Sequence, residues 1–367
     1  MKNILVMCGG KSAEHDISLI TENLVLNAID EEKYKIFPIK IDKENHWFYI
    51  KDFKNNIQSE KGKKEVFLKF GDNALYTNSA FGLKKIAQID CALLCHHGLF
   101  GEDGTVQSIL EYSNIPYSSS KVLSSAISMD KVVMKLLFKE FGFNVVDYDY
   151  FTREEYENRE DELLNKVAQN LSFPLIIKPA NLGSSIGISV AKNIDEFKKS
   201  VEIAFCYDDK ILIEKQIEDF REINSAVLGY GDEIILSSLE EPASFKEFLT
   251  FDDKYLGKGK EGSREYPAKV EKDVEDNIKE TSRQIFKKFE LSGVVRIDYI
   301  LKGKEIFVNE INSIPGSLAY YLFEKEKLSF SEVIDKLIYF AMQKHKDKNR
   351  LTFAYQSNVL EKNNIKK

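Results

Sequence analysis

The chain has 367 residues, of which 43% are hydrophobic and 30% charged, so it is long enough for two or three folded units of ordinary globular composition. Its formal net charge of -7 argues against a surface that binds nucleic acid or anionic membrane, although a local basic pocket is allowed. No stretch approaches the roughly 18 apolar residues of a membrane span, and the apolar run at the start is too short for a signal peptide. We therefore expect a cytoplasmic protein without nucleic-acid or membrane partners.

In the first part of the chain, short apolar runs alternate with an amphipathic pattern, which is typical of an α/β domain. Three runs predict strands, at Ile4–Met7, Tyr34–Ile41 and Ile89–Leu94. A helix is predicted from one apolar stripe, formed by Ile17, Ile20, Leu24 and Ala28. The polar stretch at about 42–82 is predicted to be an insertion. Residues 1–121 should thus form an α/β domain.

The remainder has an α+β pattern. Helices are predicted at 131–141 and 274–289, strands at 175–178 and 211–214, an antiparallel pair at 221–237 and a hairpin at 294–312. We divide this part into a central unit at 122–213, a C-terminal unit at 214–345 and a basic extension at 346–367.

Two glycine-containing loops follow predicted strands, where α/β proteins bind ligands. The loop His97–Thr105 holds three glycines, an imidazole and two carboxylates; its alternative interpretation is an ordinary glycine-rich turn. The loop Lys178–Gly187 begins with a lysine and contains two hydroxyls, so its backbone N–H groups and the lysine could surround a phosphate. Glu14, taken by itself, is typical of a charge at the start of a helix.

Two apparent motifs fail on spacing. The sequence Gly9–Ser12 resembles the end of a P-loop, but Leu5 stands where the first glycine is needed. The segment Cys91–His97 resembles a zinc cluster, but adjacent histidines in a strand point to opposite faces and no second ligand pair follows at finger spacing. The four cysteines are mostly in apolar runs, so we interpret them as reduced core residues.

The hairpin at 294–312 has the most specific pattern. Arg296 and Asp298 alternate with apolar residues on one strand, and Glu310 and Asn312 share one face of the return strand. A three-residue turn at Lys302–Lys304 would bring the four side chains together, whereas a two-residue turn would scatter them. Two carboxylates and an amide oxygen are suited to Mg²⁺ beside nucleotide phosphates. The alternative is a solvated sheet face.

Eight motifs in order resemble the D-alanine–D-alanine ligases of the ATP-grasp superfamily. The resemblance runs from residue 1 to about 340 and does not cover the insertion or the C-terminal extension. The motifs are Gly9–Glu14, His97–Gln107, Ser128–Lys131, Lys178–Gly187, Glu214-Lys215, Lys254-Tyr255, Arg296–Asp298 and Asn309–Asn312.

The resemblance implies an ATP-grasp fold, in which an N-terminal Rossmann-like parallel-sheet domain precedes two α+β subdomains that sandwich ATP. It implies ATP-dependent ligation of two D-alanines through an acyl phosphate, for peptidoglycan precursor synthesis. It also implies two Mg²⁺ ions, with Mn²⁺ as a substitute, and a homodimer formed through the first domain.

The resemblance also assigns residues to roles. The implied nucleotide contacts are Lys131, Lys178, Ser185, Glu214, Lys215, Ile217, Glu222, Lys254 and Asn309. The implied metal ligands are Asp298, Glu310 and Asn312. The implied catalytic groups are Glu14, Ser184, Tyr255, Arg296 and the Gly316 N–H. The implied substrate contacts are His97, Ser317 and Leu318. A mobile lid is expected at about 248–267.

The acceptor site is where the sequence departs from the family. After Asn312, many such ligases have a longer stretch before the Ser-Leu pair that binds the acceptor's carboxylate. Here the stretch is shorter, and we place Ser317 and Leu318 in that role. Tyr255 favours D-alanine as acceptor, because the D-lactate-using enzymes tend to have histidine there. The alternatives are a D-alanine–D-serine or D-alanine–D-lactate ligase, another ATP-grasp carboxylate–amine ligase, and a nucleotide-binding protein without catalysis.

Overall fold

The computed structural model describes residues 1–52, 61–242, 264–352 and 354, whose strands form four sheets. Among these residues, no helix is both long and apolar enough to cross a bilayer. The N-terminal elements are β1 (Lys2–Gly9), α1 (His15–Ala28), β2 (Tyr34–Ile41), β3 (Trp47–Tyr49), β4 (Lys64–Glu65), β5 (Phe67–Lys69), β6 (Asp72–Ser79), β7 (Gly82–Gln88), β8 (Cys91–Leu94) and α2 (Thr105–Tyr112).

The first sheet has the order β4-β3-β2-β1-β8, and β1 is parallel to both of its neighbours. The carboxyl ends of parallel strands meet at one edge of a sheet. The loop after β1, which leads to Glu14, and the loop after β8, which contains His97, therefore lie side by side.

The predicted apolar stripe of α1 is partly wrong. Ile20 is 48% exposed, whereas Thr21 and Glu22 are buried. The buried polar groups have partners inside the protein: Thr21 contacts His97, and Cys8 Sγ donates to Glu22 Oε2 at 2.6 Å. Because hydrogen bonds offset the cost of burying them, the helix can bury a face that hydrophobic periodicity assigns to solvent.

Both described parts of the predicted insertion at 42–82 contain strands. Strands β3 and β4 extend the first sheet beyond β2, and β5, β6 and β7 form a separate antiparallel sheet that continues to Gln88. Cys8, Cys91 and Cys95 are buried free thiols, as predicted for core residues, whereas Cys206 is exposed.

The central elements are α3 (Val122–Met129), α4 (Lys131–Glu140), β9 (Tyr148–Thr152), α5 (Arg153–Leu171), β10 (Leu175–Pro179), β11 (Ser189–Ala191), α6 (Ile194–Phe205) and β12 (Lys210–Lys215). The strands form an antiparallel sheet of order β11-β10-β12-β9. Helices α5 and α6 cover one face, where Leu164, Ile177 and Phe197 share a core cluster. Lys178 and Glu214 belong to the same sheet but lie outside that cluster.

The C-terminal elements are β13 (Arg221–Tyr230), β14 (Glu233–Leu236), α7 (Lys272–Lys288), β15 (Ser292–Lys302), β16 (Glu305–Asn312), a 3₁₀ helix (Gly316–Phe323) and α8 (Phe330–Lys348). The sheet order is β14-β13-β15-β16, and α7 packs on one face through Ile278, Ile285 and Phe286. Helix α8 packs against the first sheet and β13, so the C-terminal part of the chain contacts the N-terminal elements.

The predicted three-residue turn of the hairpin is wrong, although the four polar residues do come together. Lys302 pairs with Glu305, which leaves a two-residue turn. A bulge then shifts the register between Tyr299 and Asp298, so that Asp298 lies opposite Glu310 and Arg296 opposite Asn312.

The bulge has a second consequence on β16. Val308 and Ile311 both pack in the core although they are three residues apart. Asn309 lies between the pairings Tyr299↔Val308 and Asp298↔Glu310 and has no opposite residue. On the other side of the bulge, Ile306 and Val308 face the same core.

Candidate functional site

The Glu14 carboxylate lies where the loop after β1 meets the loop after β10, which belongs to another sheet. Glu14 precedes α1, and Ser184, 170 residues later, donates its hydroxyl to Glu14 Oε1. A Cβ atom on Gly98 would lie 2.6 Å from Glu14 Oε2, and one on Gly183 would lie 2.8 Å from it. A side chain at either position would displace the Glu14 carboxylate, and Gly98 also has a positive φ of 71°, which favours glycine. The structure thus brings together Glu14 and Ser184, two members of the predicted group. The third member, Tyr255, lies outside the described residues.

His97 connects the first sheet with the segment after β16. Its Nδ1 is 2.9 Å from the Ile314 carbonyl oxygen, which can only accept, so Nδ1 carries the proton. Its Nε2 lies 2.8 Å from Thr21 Oγ1, and that oxygen accepts from the Ser317 N–H at 3.2 Å. Burial lowers the pKa of His97, so the ring is neutral. The contacts of its two nitrogens hold the ring in one orientation.

Glu102, from the same loop as His97, also joins the two segments. Its Oε2 accepts from the Gly98 N–H and its Oε1 from the Ile314 N–H, both at 2.8 Å. Burial, followed by the negative charge of Glu14, raises the pKa of Glu102 to about 7. This carboxylate therefore titrates near neutral pH in the folded protein.

We expect Glu102→Gln to change the pH dependence of stability. An unfolded glutamate ionises near pH 4.3, so between that pH and about 7 this residue holds fewer protons in the unfolded chain than in the folded protein. Its contribution to wild-type stability therefore falls as pH rises. Glutamine does not titrate. The stability deficit of the variant should shrink by about 2–3 kcal/mol between pH 5 and pH 8 in urea denaturation. A deficit that stayed constant or grew would contradict the raised pKa.

A buried triad of charges lies on the side of the central sheet opposite α5 and α6, where α4 packs. The Glu214 carboxylate on β12 pairs with Lys178 on β10 through one oxygen and with Lys135 on α4 through the other. All three side chains are at most 11% exposed. Burial alone would raise the pKa of Glu214, but the two ammonium groups lower it to about 2. The carboxylate is thus ionised and holds both lysines in place.

Removing that carboxylate should strongly destabilise the protein. Glu214→Gln would leave two ammonium groups buried side by side, and breaking a buried charge pair typically costs about 3–5 kcal/mol. We expect a loss of this size in the free energy of unfolding from urea denaturation at pH 7. Glu162→Gln, which removes an exposed partner of Arg159 on α5, is the control and should change it little. If Glu214→Gln changed the free energy of unfolding as little as Glu162→Gln, the triad would not stabilise the fold.

Lys131 extends the positive group toward the hairpin. It is the first residue of α4, after the N-cap Asp130, and Lys135 lies one turn further on the same face. Its Nζ donates to the Leu182 carbonyl of the glycine-serine loop at 2.6 Å and lies 3.8 Å from Glu310 Oε2. Helix, loop and hairpin therefore enclose one charged cleft.

On the hairpin face, cations and amides already surround the predicted metal ligands. Arg296 donates from Nε and Nη2 to the two Asp298 oxygens at 2.7 and 2.8 Å, and Asn312 Nδ2 donates to Asp298 at 2.9 Å. Within the described ranges, no group of three or more His, Cys, Asp or Glu side chains could hold a metal. A magnesium site here would thus consist of two carboxylates and an amide, completed by phosphate oxygens or water.

The structure places the other predicted residues as follows. Ser185 lies in the same loop as Ser184, and both have left-handed backbones with φ of 59° and 53°. Lys215 ends β12, Ile217 follows it half-buried, and Glu222 is exposed on β13. Gly316 begins the 3₁₀ helix and Ser317 follows it, but the Leu318 side chain is 2% exposed and belongs to the core. Lys254 and most of the expected lid lie outside the described residues.

Sequence reasoning missed Lys135, although it interrupts an apolar stretch four residues after Lys131. Glu102 was noted only as one of two loop carboxylates. Thr21 and Tyr321 were missed because no local pattern distinguishes them from core residues.

Comparisons with known proteins identify one family. Residues 3–120 match the family model described as D-ala D-ala ligase N-terminus, and residues 137–339 match that of D-ala D-ala ligase C-terminus. A D-alanine--D-alanine ligase of Thermosipho africanus is 40% identical over 98% of this chain and 99% of its own.

Solved structures agree as well. The D-alanine-D-alanine ligase of Coxiella burnetii superposes with a TM-score of 0.81 at 29% identity, covering 95% of this chain and 96% of its own. The VanG D-Ala:D-Ser ligase of Enterococcus faecalis gives 0.78 at 30% identity, covering 93% and 99%. The two family matches, the near-full-length relative and the shared ATP-grasp fold show that this chain belongs to the D-alanine–D-alanine ligase family.

Proposed function

We propose that this chain joins two D-alanines to D-alanyl-D-alanine, with conversion of ATP to ADP and phosphate, as a step of peptidoglycan precursor synthesis. The observation that carries the proposal is the hydrogen bond from Ser184 to Glu14. It places the Glu14 carboxylate of the first domain next to the loop Lys178–Gly187, which is suited to binding phosphate. A small substrate held by the first domain could thus lie next to the phosphates of a nucleotide.

The nucleotide would lie between the central and C-terminal sheets. Lys131, Lys178 and Ser185 would contact its phosphates, together with Lys254. Because the Glu214 carboxylate is taken up by two lysines, we propose that Glu214, Lys215 and Ile217 meet the adenine chiefly through their main chain. Glu222 would bind the ribose, and Asn309 in the bulge would face the phosphates.

Asp298, Glu310 and Asn312 would hold two Mg²⁺ ions, for which Mn²⁺ could substitute. Their oxygen atoms are hard ligands, and the cations now next to two of them, Arg296 and Lys131, indicate a site that favours positive charge. Bound Mg²⁺ neutralises charge on the phosphoryl group that is transferred.

The chemistry would proceed in two transfers. The carboxylate of the first D-alanine attacks the γ-phosphorus, releasing ADP and forming an acyl phosphate. The amine of the second D-alanine, after losing a proton, attacks the carbonyl carbon, and phosphate leaves. Arg296 and the Gly316 N–H would stabilise the oxyanion of the tetrahedral intermediate.

Orientation of the substrates falls to the first domain. Glu14, Ser184 and Tyr255 would form a hydrogen-bonded group that positions the first D-alanine and joins the lid at about 248–267 to the site. His97 would contact the same substrate. Ser317 and Leu318 would contact the acceptor, Leu318 through its main chain because its side chain is buried. We also propose a homodimer formed through the first domain, which sedimentation would test.

The direct test is D-alanine-dependent release of ADP from ATP and Mg²⁺, with products identified by mass. Incubation with D-alanine alone should give D-alanyl-D-alanine, and equimolar D-serine or D-lactate should compete poorly. A clear excess of D-alanyl-D-serine, or predominant depsipeptide near neutral pH, would reassign the acceptor. Failure of D-alanine to stimulate ADP release would reject the proposed function.

A further inference from the structure

Two neighbouring glutamates after β14 form similar ion pairs on opposite sides of the chain. Glu240 is 4% exposed and pairs with Arg264 Nε, while its Oε2 accepts from Asn224 Nδ2 at 3.2 Å. Glu241 is more exposed and pairs with Arg221. The Glu240 pair faces inward, since Asn224 lies opposite Asp298 on the sheet.

The Arg264 guanidinium is held at the edge of the cleft. It lies 4.0 Å from the centre of the Tyr321 ring and 5.4 Å from that of Tyr266, whose hydroxyl is fixed to the Leu322 carbonyl at 2.7 Å. Despite these contacts, the Arg264 side chain is 42% exposed. A guanidinium fixed through Nε and stacked on a ring keeps its Nη groups directed for a further planar anion.

Tyr321 links this guanidinium to the proposed oxyanion site. Its side chain interacts electrostatically with Arg296 and Asp298 as well as with Arg264 and Glu240. Arg296 in turn interacts with Tyr321 and Glu240. Arg264 and Arg296 therefore belong to one neighbourhood on the same side of the C-terminal sheet.

The turn before Tyr321 has an unusual backbone. Ser317, Leu318 and Ala319 all have φ between 47° and 53°, a left-handed conformation that is costly for side-chain-bearing residues. The turn buries Leu318 and Ala319 and is followed by Tyr321 next to Arg296 and Arg264. It thus places Tyr321, and not the Leu318 side chain, beside Arg264 and Arg296.

We propose that Arg264, oriented by Glu240 and held on the Tyr321 ring, binds the carboxylate of the acceptor amino acid. The proposal rests on the ligase function proposed above and adds a specificity-determining pair to it. Arg296 uses Nε and Nη2 on Asp298, which leaves Nη1 for a single oxygen such as the oxyanion, whereas Arg264 is tied to its carboxylate through Nε. Arg264 would therefore select acceptors that carry a carboxylate next to the amine.

The test uses D-alaninamide, which can act only as acceptor because it has no carboxylate to activate. The full-length enzyme is given ATP, Mg²⁺, D-alanine and equimolar D-alaninamide, and the ratio of D-alanyl-D-alanine to D-alanyl-D-alaninamide is measured by mass. Wild type should favour the dipeptide. Arg264→Met should lower that ratio roughly 10- to 100-fold, the range for losing a hydrogen-bonded charge partner, with formation of the amide product nearly unchanged.

Matched variants separate recognition from folding. Arg221→Met removes the outward-facing pair and should leave the ratio unchanged. Tyr321→Phe keeps the ring and should keep the ratio, whereas Tyr321→Leu should lower it. If Arg264→Met reduced both products equally, or changed neither, Arg264 would not bind the acceptor carboxylate. Absence of any dipeptide with the wild-type enzyme would instead reject the ligase function itself.

Discussion

Glu310→Gln should lower the rate of D-alanine-dependent ADP release by about 10³-fold or more at ordinary Mg²⁺. Glu310 lies opposite Asp298 on the hairpin and 3.8 Å from Lys131, so its charge serves the proposed metal and phosphate site. Its side chain is 30% exposed and contributes little to the core, so the fold should persist. Glutamine keeps the size of the side chain and removes the charge that hard cations require.

Glu305→Gln is the matched control. Glu305 begins the same strand at the exposed hairpin turn, opposite Lys302, and its loss should leave ADP release near the wild-type value. Activities would be measured over a range of Mg²⁺ concentrations, with circular dichroism to verify folding. Near-normal turnover of Glu310→Gln at ordinary Mg²⁺ would mean that Glu310 does not bind the metal, and Asn312→Ala should have the milder effect of the two.

The elements that sequence reasoning located correctly have strong local signals. Strand β2 begins and ends at the predicted residues, since an apolar run with β-branched and aromatic residues has turn signals on both sides. Helix α5 was missed because most of its residues are polar and it is kinked at Arg159. Its start could have been found, because Thr152 and Glu155 form a capping box.

The hairpin shows why a correct grouping can follow from a wrong register. The side chains of Arg296, Asp298, Glu310 and Asn312 share a face because each pair alternates along its own strand. How the two strands align depends on the turn and on the bulge at Asn309, and both depend on tertiary packing. The sequence could therefore predict which residues assemble but not which ones lie opposite each other.

Sequence patterns did not predict the charged triad of Lys135, Lys178 and Glu214. Lys178 and Glu214 were assigned to different parts of the nucleotide, yet in the structure they form an ion pair, and Lys135 of α4 pairs with the same carboxylate. Lys135 becomes significant only once α4 is packed across the central sheet. Contacts among α4, β10 and β12 are nonlocal, and no spacing along one segment reveals them.

Arg296→Ala should reduce kcat by about 10²–10³-fold, or roughly 3–4 kcal/mol, while changing the KM for ATP little. The reason is that the oxyanion exists only in the transition state and the tetrahedral intermediate, so a donor aimed at it contributes little to ground-state binding. Arg296→Lys should recover part of the loss, because it restores the charge but not the planar fork. Arg221→Ala, two strands from β16 and paired with Glu241, should have no comparable effect.

The contact between Arg296 and Asp298 allows a second explanation, which the Mg²⁺ dependence resolves. Removing the guanidinium takes away the hydrogen bonds that both Asp298 oxygens accept from Arg296. Asn312 Nδ2 still donates to one of these oxygens at 2.9 Å. If Arg296 acts on the oxyanion, the loss in kcat should persist at saturating Mg²⁺. Recovery at high Mg²⁺ would assign Arg296 to holding Asp298 for the metal, and an unchanged kcat with a large rise in the KM for ATP would make it a phosphate-binding residue.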